Sequence, residues 1–90
     1  MGLEDIFSSR LRIKILKILF QMRELNVSEI ARRLNVNYNT AIKHLKILED
    51  EGIVCHKVFG RIRLYRLNEN SPRVRAIQNL LDVWEQTNKP

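Results

Sequence analysis

SEIARRLNVNYNTAIKHLKILEDE, residues 28–51, is the stretch on which the fold turns. Two apolar patterns of helical period meet in it, separated by asparagines on alternate positions: Asn35, Asn37 and Asn39. Asparagine suits a helix interior poorly, because its side chain bonds nearby backbone groups in other conformations. Asn35 follows the first pattern, and after glycine it is asparagine that best tolerates a left-handed turn. Asn37 precedes the second pattern as its N-cap. Asn39 lies inside the second helix with no structural duty. The stretch therefore reads as a short helix over 29–34 capped by Ser28, a connection at 35–37, and a longer helix over about 38–51. Glu29 sits at the positive end of the short helix, and Gly52 follows the long one where a left-handed C-terminal cap needs glycine.

Outward from this pair, residues 6–22 also carry a helical apolar pattern. Leu11, Ile15, Ile18, Leu19 and Met22 share one face, and Ile13, Leu16 and Phe20 fall on or near the opposite one. Arg10, Lys14 and Lys17 form a stripe between them. Ser8 or Ser9 is the expected N-cap, leaving 3–7 as a short preceding turn. Residues 24–27 break the pattern and allow a short extended segment. Downstream, 53–58 and 62–67 read as the strands of a hairpin with Phe59-Gly60-Arg61 as its turn. A last helix over 71–87 is expected, with Ser71 as N-cap and Pro72 at the first helical position. Its stripe is Ile77, Leu80, Leu81 and Trp84, extended by Val74, with Val83 elsewhere on its surface. The expected fold class is mainly α with a small β-hairpin.

Ninety residues make one domain, 1–90, with no room for a second core. No apolar run approaches membrane-spanning length. The N-terminus is acidic and lacks signal-peptide features, and Ile6 stands where a myristoylation signal needs Ser or Thr. A single cysteine, Cys55, excludes an internal disulfide and fits a reducing cytoplasm, so a cytoplasmic location is expected. Sixteen Lys/Arg against ten Asp/Glu give a net charge of +6 and a pI near 10.0. That balance favours a polyanionic partner, nucleic acid first and anionic lipid second.

Catalytic chemistry is hard to place. Ser8, Ser9, Ser28 and Ser71 all stand at expected helix starts, so capping accounts for them. Neither His44 nor His56 has an Asp or Ser at triad-like spacing. Glu49-Asp50-Glu51 points around a helix end and reads as solvated. Adjacent strand residues face opposite ways, so Cys55 and His56 cannot chelate one ion. Cys55 is expected to behave as a small buried apolar residue. No enzyme activity, metal or cofactor is expected.

The constellation over 28–51 fits a helix-turn-helix, in which the first helix lays the second into the major groove of DNA. Ile30, Ala31, Leu34, Val36, Ala41, Leu45 and Leu48 supply the inside. At about 100° per residue, Tyr38 shares the inner arc with Ala41, Leu45 and Leu48. Asn39, Lys43, Lys46 and Asp50 fall outside, with Thr40 and Ile42 on the flanks. Asn39 can pair with the N6/N7 edge of adenine, Lys43 with guanine O6/N7, and Thr40 or Ile42 with a thymine methyl. Packing is the favoured reading for Ile42. Lys46 is placed for phosphate. Lys57, Arg61, Arg63 and Arg66 concentrate on the hairpin, which can reach phosphates or a narrow minor groove. The candidate DNA-contacting set is Asn37, Tyr38, Asn39, Thr40, Lys43, His44, Lys46, Lys57, Arg61 and Arg63.

Residues 9–16 and 28–34 resemble the opening of winged helix-turn-helix regulators. Residues 40–54 look like their recognition helix running into the wing, and Gly60-Arg61 and Tyr65-Arg66-Leu67 look like the wing's tip and return strand. The resemblance is closest to the ArsR-like group, particularly its small archaeal members. The family often has glycine at the place of Asn35 and serine at that of Asn37. The resemblance implies a winged helix-turn-helix over 28–51 with a wing over 53–67, an added C-terminal dimerisation helix, and a dimeric transcriptional regulator of double-stranded DNA. The cysteine-containing motif of the metal sensors is absent, so metal sensing is not carried over, and no small-molecule effector follows. Helix faces left over by a domain this small point to a homodimer packed through Phe20, Ile77, Leu80, Leu81 and Trp84. Two other functions share these features: an architectural protein binding duplex DNA with little sequence preference, and a winged-helix protein-interaction module.

Overall fold

The computed structural model describes residues 2–88. Its elements run α1 (Leu3–Phe7), α2 (Arg10–Met22), β1 (Glu24–Asn26), α3 (Val27–Leu34), α4 (Tyr38–Asp50), β2 (Val54–Phe59), β3 (Ile62–Leu67) and α5 (Pro72–Thr87). Residues 3–7 are a helix in their own right, where a turn was expected, and α1 seats Ile6 in the core. Of the two candidate caps for α2, Ser9 does the work: its Oγ accepts the Arg12 N–H at 3.2 Å. α2 stops at Arg23, whose φ of 69° takes the backbone out of the helical region.

The start of α3 corrects the sequence reading. Its N-cap is Asn26, whose Oδ1 accepts the Glu29 N–H at 2.8 Å, while Ser28 lies exposed in the first turn. Asn26 ends a strand and already has the extended backbone that an N-cap requires, and asparagine caps at least as well as serine. Within α3, Arg32 and Arg33 both bind Glu29. Those hydrogen bonds, Arg32's first, lower the Glu29 carboxyl to about 2.

The two helices of the central pair end by the same device. The Asn35 N–H donates to the Arg32 carbonyl at 3.1 Å and the Val36 N–H to the Ala31 carbonyl at 3.0 Å. At the end of α4 the Gly52 N–H donates to the Glu49 carbonyl and the Ile53 N–H to the Leu48 carbonyl, both at 2.9 Å. Each is a Schellman cap around one left-handed residue: Asn35 at φ 57° and Gly52 at φ 74°. The caps fix where the chain leaves each helix, and so fix the angle at which α4 is presented. Ser71 stands at the N-cap of α5 but makes no side-chain capping bond, leaving Pro72 as the main start signal.

The wing has a third strand. β1 pairs antiparallel with β3 through Leu25↔Tyr65, giving the sheet order β1-β3-β2. β2 runs one residue past its expected end, so that Phe59 pairs with Ile62 and only Gly60 and Arg61 turn. Of these two, Gly60 alone has positive φ, at 59°, the pattern of a type II′ hairpin.

α2 lies at the centre, with Ile15, Leu16 and Leu19 buried. Val27, Ile30 and Ala31 of α3, Ala41, Leu45 and Leu48 of α4, Ile53, Val54, Tyr65 and Leu67 of the wing, and Val74 and Ile77 of α5 complete one core. Leu34, Val36 and Ile42 pack half-buried against it. Two expected assignments change here. Ile77 is only 5% exposed and belongs to this chain's own core. Cys55 is half-buried, being on the sheet face opposite Tyr65, where the core does not reach.

Candidate nucleic-acid interface

α4 opens with Asn37, whose Oδ1 accepts the Thr40 N–H at 2.8 Å. This cap leaves Asn39 exposed on the first turn, with Lys43 one turn later and Lys46 beyond, all exposed. Among the described residues none of these three side chains has an intrachain hydrogen bond or ion pair. Thr40 is half-buried beside them. These donors and acceptors are therefore free to meet an incoming partner.

Tyr38 departs from its expected inward place and is 46% exposed. It is the first residue of α4, and what faces it there is the wing, not the core. With Asn26, Val27, Ser28, Arg61, Ile62 and Arg63 it lines a cavity of about 130 Å³ between the start of α3 and the hairpin. Two guanidiniums and two hydroxyls at one cleft suit phosphate oxygens, which are held by charge-assisted and hydroxyl hydrogen bonds. Ser28 is a member that the sequence reading missed by assigning it to capping. Lys57 stands exposed on β2, further along the same hairpin.

His44 is held from behind. Arg12 lies on α2, donates its Nε–H to the Asp5 carbonyl at 2.8 Å, and places Nη1 2.9 Å from His44 Nδ1. A guanidinium has no acceptor, so Nδ1 accepts and the imidazole carries its hydrogen on Nε2. Burial, then the charges of Arg12 and Lys43, keep His44 below its ordinary value of 6.5. The ring is a neutral Nε2–H donor in the middle of the outer helix.

The far end of α4 is tied to the wing. His56 Nδ1 lies 2.6 Å from Glu49 Oε2, and the His56 and Tyr65 rings pack at a tilt of 34° with their centroids 5.0 Å apart. Burial, and after it the Glu49 charge, hold the Tyr65 hydroxyl above its ordinary pKa, with Arg63 opposing both. Arg73 of α5 comes within 3.6 Å of Glu51. Two of the three acids read as solvated are thus engaged: Glu49 and Glu51 hold neighbouring elements, and Asp50 alone is exposed. The observed register puts His56 opposite Tyr65 on the core face, whereas the turn expected over 59–61 sets it opposite Leu64.

Among the described residues no three His, Cys, Asp or Glu side chains are grouped to hold a metal, and no helix is long and apolar enough to cross a membrane. What remains is a short helix packed across a longer one with free polar groups, and a basic three-stranded wing beside it. Residues 9–55 match the family described as bacterial regulatory protein, arsR family.

The chain belongs to the ArsR family.

It is 37% identical over 76 residues to the HTH-type transcriptional regulator YuzN of Bacillus subtilis, covering 78% of this chain and 77% of that one. It is 31% identical over 75 residues to the HTH-type transcriptional regulator B-115 of Sulfolobus spindle-shape virus 1. That match covers 83% of this chain but spans only 65% of the viral protein. With one relative viral and the other bacterial, the kinship is with the family as a whole, and an archaeal source does not follow from it. Among solved structures, HlyU from Vibrio cholerae aligns with a TM-score of 0.76 at 29% identity, over 88% of this chain and 83% of that one. The homodimeric winged helix-turn-helix DNA-binding domain of Mycobacterium bovis Mb0332 aligns with a TM-score of 0.73 at 26% identity, over 94% of this chain and 79% of that one. This ArsR-family protein is a DNA-binding transcriptional regulator, and its family is not an enzymatic one.

Proposed function

We propose that two copies of this chain bind one near-palindromic duplex site, each laying α4 in a major groove with its wing on the flanking phosphates or minor groove. The observation that carries the reading is the exposed pair Asn39 and Lys43, one helical turn apart and without hydrogen-bond or ion-pair partners among the described residues, beside a cleft lined by Arg61 and Arg63. Asn39 addresses adenine N6/N7, Lys43 guanine O6/N7, and Thr40 a thymine methyl. Asn37 holds the helix start. Tyr38, Arg61 and Arg63 take phosphate oxygens at the cleft, and Lys46 and Lys57 extend the phosphate contacts. His44 offers its Nε2–H, oriented by Arg12. Ile42 packs on the core and reads no base.

The pairing surface lies on α5 beyond Ile77. Leu80 and Trp84 are exposed there, and Leu81 and Phe20 lie half-buried beside them. A two-fold dimer through this surface would set the recognition helices about 34–36 Å apart, one turn of duplex. The homodimeric state of the Mb0332 domain supports the pairing.

Selection from a random duplex pool tests the reading, and a near-palindrome is expected. Lys43→Ala should then relax preference at one position of each half-site by about 1–3 kcal/mol. Enrichment of no motif would replace sequence-specific regulation with architectural binding.

A further inference from the structure

The wing tip carries a feature that phosphate binding does not use. Val58 is 59% exposed, Phe59 56% and Ile62 51%, three large apolar side chains within five residues. Single exposed apolar residues are ordinary, whereas a cluster marks a contact. Phe59 and Ile62 are a directly opposed pair in the sheet register, so their side chains share one face. Val58, opposite Arg63, lies on the other face. Between the strands stands Arg61, on a turn that Gly60 tightens. Among the described residues, apart from Gly60's own neighbours, nothing lies within 4 Å of where a side chain at Gly60 would begin, so the tip projects into open space.

We propose that Phe59 and Ile62 form an apolar wedge that enters the minor groove beside Arg61 and bends the operator where no base is read by hydrogen bonding. The inference rests on the DNA-binding mode proposed above. Charge selects the occupant: Arg61 leads and Arg63 and Lys57 follow on the same hairpin, so the tip is drawn toward phosphates and a narrow A·T-rich groove. Continuity selects it too, because Ile62 and Arg61 already line the cleft beside Tyr38. Aromatic and aliphatic side chains partly unstack base steps from the minor-groove side and kink the duplex toward the major groove. Pyrimidine–purine steps yield most easily. The operator should therefore favour a TA or CA/TG step on each flank, outside the stretch that α4 reads.

The test uses the full chain and a duplex carrying the site enriched from the random pool, with dyes on its two ends. The wild type should bend this duplex by at least about 20°. Phe59→Ser combined with Ile62→Thr should bind it with an unchanged salt slope, leave it straight, and no longer prefer a flanking TA step. Its affinity should fall by a factor on the order of ten, the scale of one lost specific match in a site. Arg61→Ala, by contrast, should lower the salt slope by about one. A second readout needs no substitution: 2-aminopurine at the flanking step should brighten when the unaltered protein binds.

A wild type that leaves the duplex straight, a double variant that bends it normally, or an unchanged 2-aminopurine signal would each overturn the wedge. So would a double variant that bends DNA normally but loses self-association or binding to phosphatidylserine vesicles, assigning the tip to a second copy or to a lipid surface. If the wild type binds no duplex at all, the proposed function fails first, and that result is distinct from binding without bending.

Discussion

Asn35, Asn37 and Asn39 are chemically identical and separate by backbone position into three roles. Asn35 takes the left-handed conformation at φ 57°, Asn37 accepts the Thr40 N–H at 2.8 Å, and Asn39 is exposed without a partner among the described residues. Stability and recognition should therefore divide between neighbours. Asn37→Ala removes a cap and should cost about 0.5–2 kcal/mol in urea unfolding, with affinity falling only as the helix start frays. Asn39→Ala touches nothing in the fold and should leave the unfolding free energy within about 0.5 kcal/mol. In competition binding the same variant should lose discrimination at its adenine. Equal stability losses in the two variants would mean that Asn39 supports the helix. The first two roles were legible in the sequence because each depends on bonds that reach no more than a few residues along the chain.

At the scale of elements, α2 orients α4 through the bond from Arg12 to His44 Nδ1 at 2.9 Å. His44 is held below its ordinary 6.5 by burial first, then by Arg12 and Lys43, the two cations that face it. The unfolded chain therefore binds a proton more readily than the folded one, and stability rises with pH. The contribution is complete above the unfolded value. As pH falls through 6.5 it is progressively lost, until His44 protonates in the fold as well. Arg12→Gln should raise the His44 midpoint followed by NMR, and His44→Gln should flatten the acid side of the stability curve. An unshifted midpoint in Arg12→Gln would remove Arg12 from this role. Such contacts mark the limit of what the sequence shows. The helix and strand limits were readable to within a residue or two, because caps, Pro72 and Gly52 are local. The Arg12–His44 bond spans 32 positions, and β1 reaches the sheet only by pairing with β3. Ser28 was given the cap because it looked like the start of the apolar pattern. Asn26 took it by ending the short extended segment allowed over 24–27, whose pairing with β3 no local pattern announced.

The whole molecule leaves α5 half used. Its first half seats Val74 and Ile77 in the core, and its second half holds Trp84 at 62% exposure with Leu80 and Val83 also exposed. Periodicity put Ile77 and Trp84 on one stripe, but a stripe does not say where one neighbour ends and another begins. Substitution should separate the halves. Ile77→Ala opens a core cavity and should cost about 2–5 kcal/mol of stability. Trp84→Glu removes nothing from the core of a single chain. It should instead place two carboxylates across the proposed two-fold axis, and sedimentation equilibrium should report a monomer. A monomer covers one half-site, so its salt slope on the enriched duplex should fall to about half that of the dimer, each phosphate contact contributing about 0.9. The Lys17–Glu85 pair beside this surface, at 3.2 Å and exposed on both sides, is worth little alone and cannot hold two copies together. If Trp84→Glu stays dimeric with its salt slope intact, the pairing surface lies elsewhere. The exposed end of α5 would then need another partner.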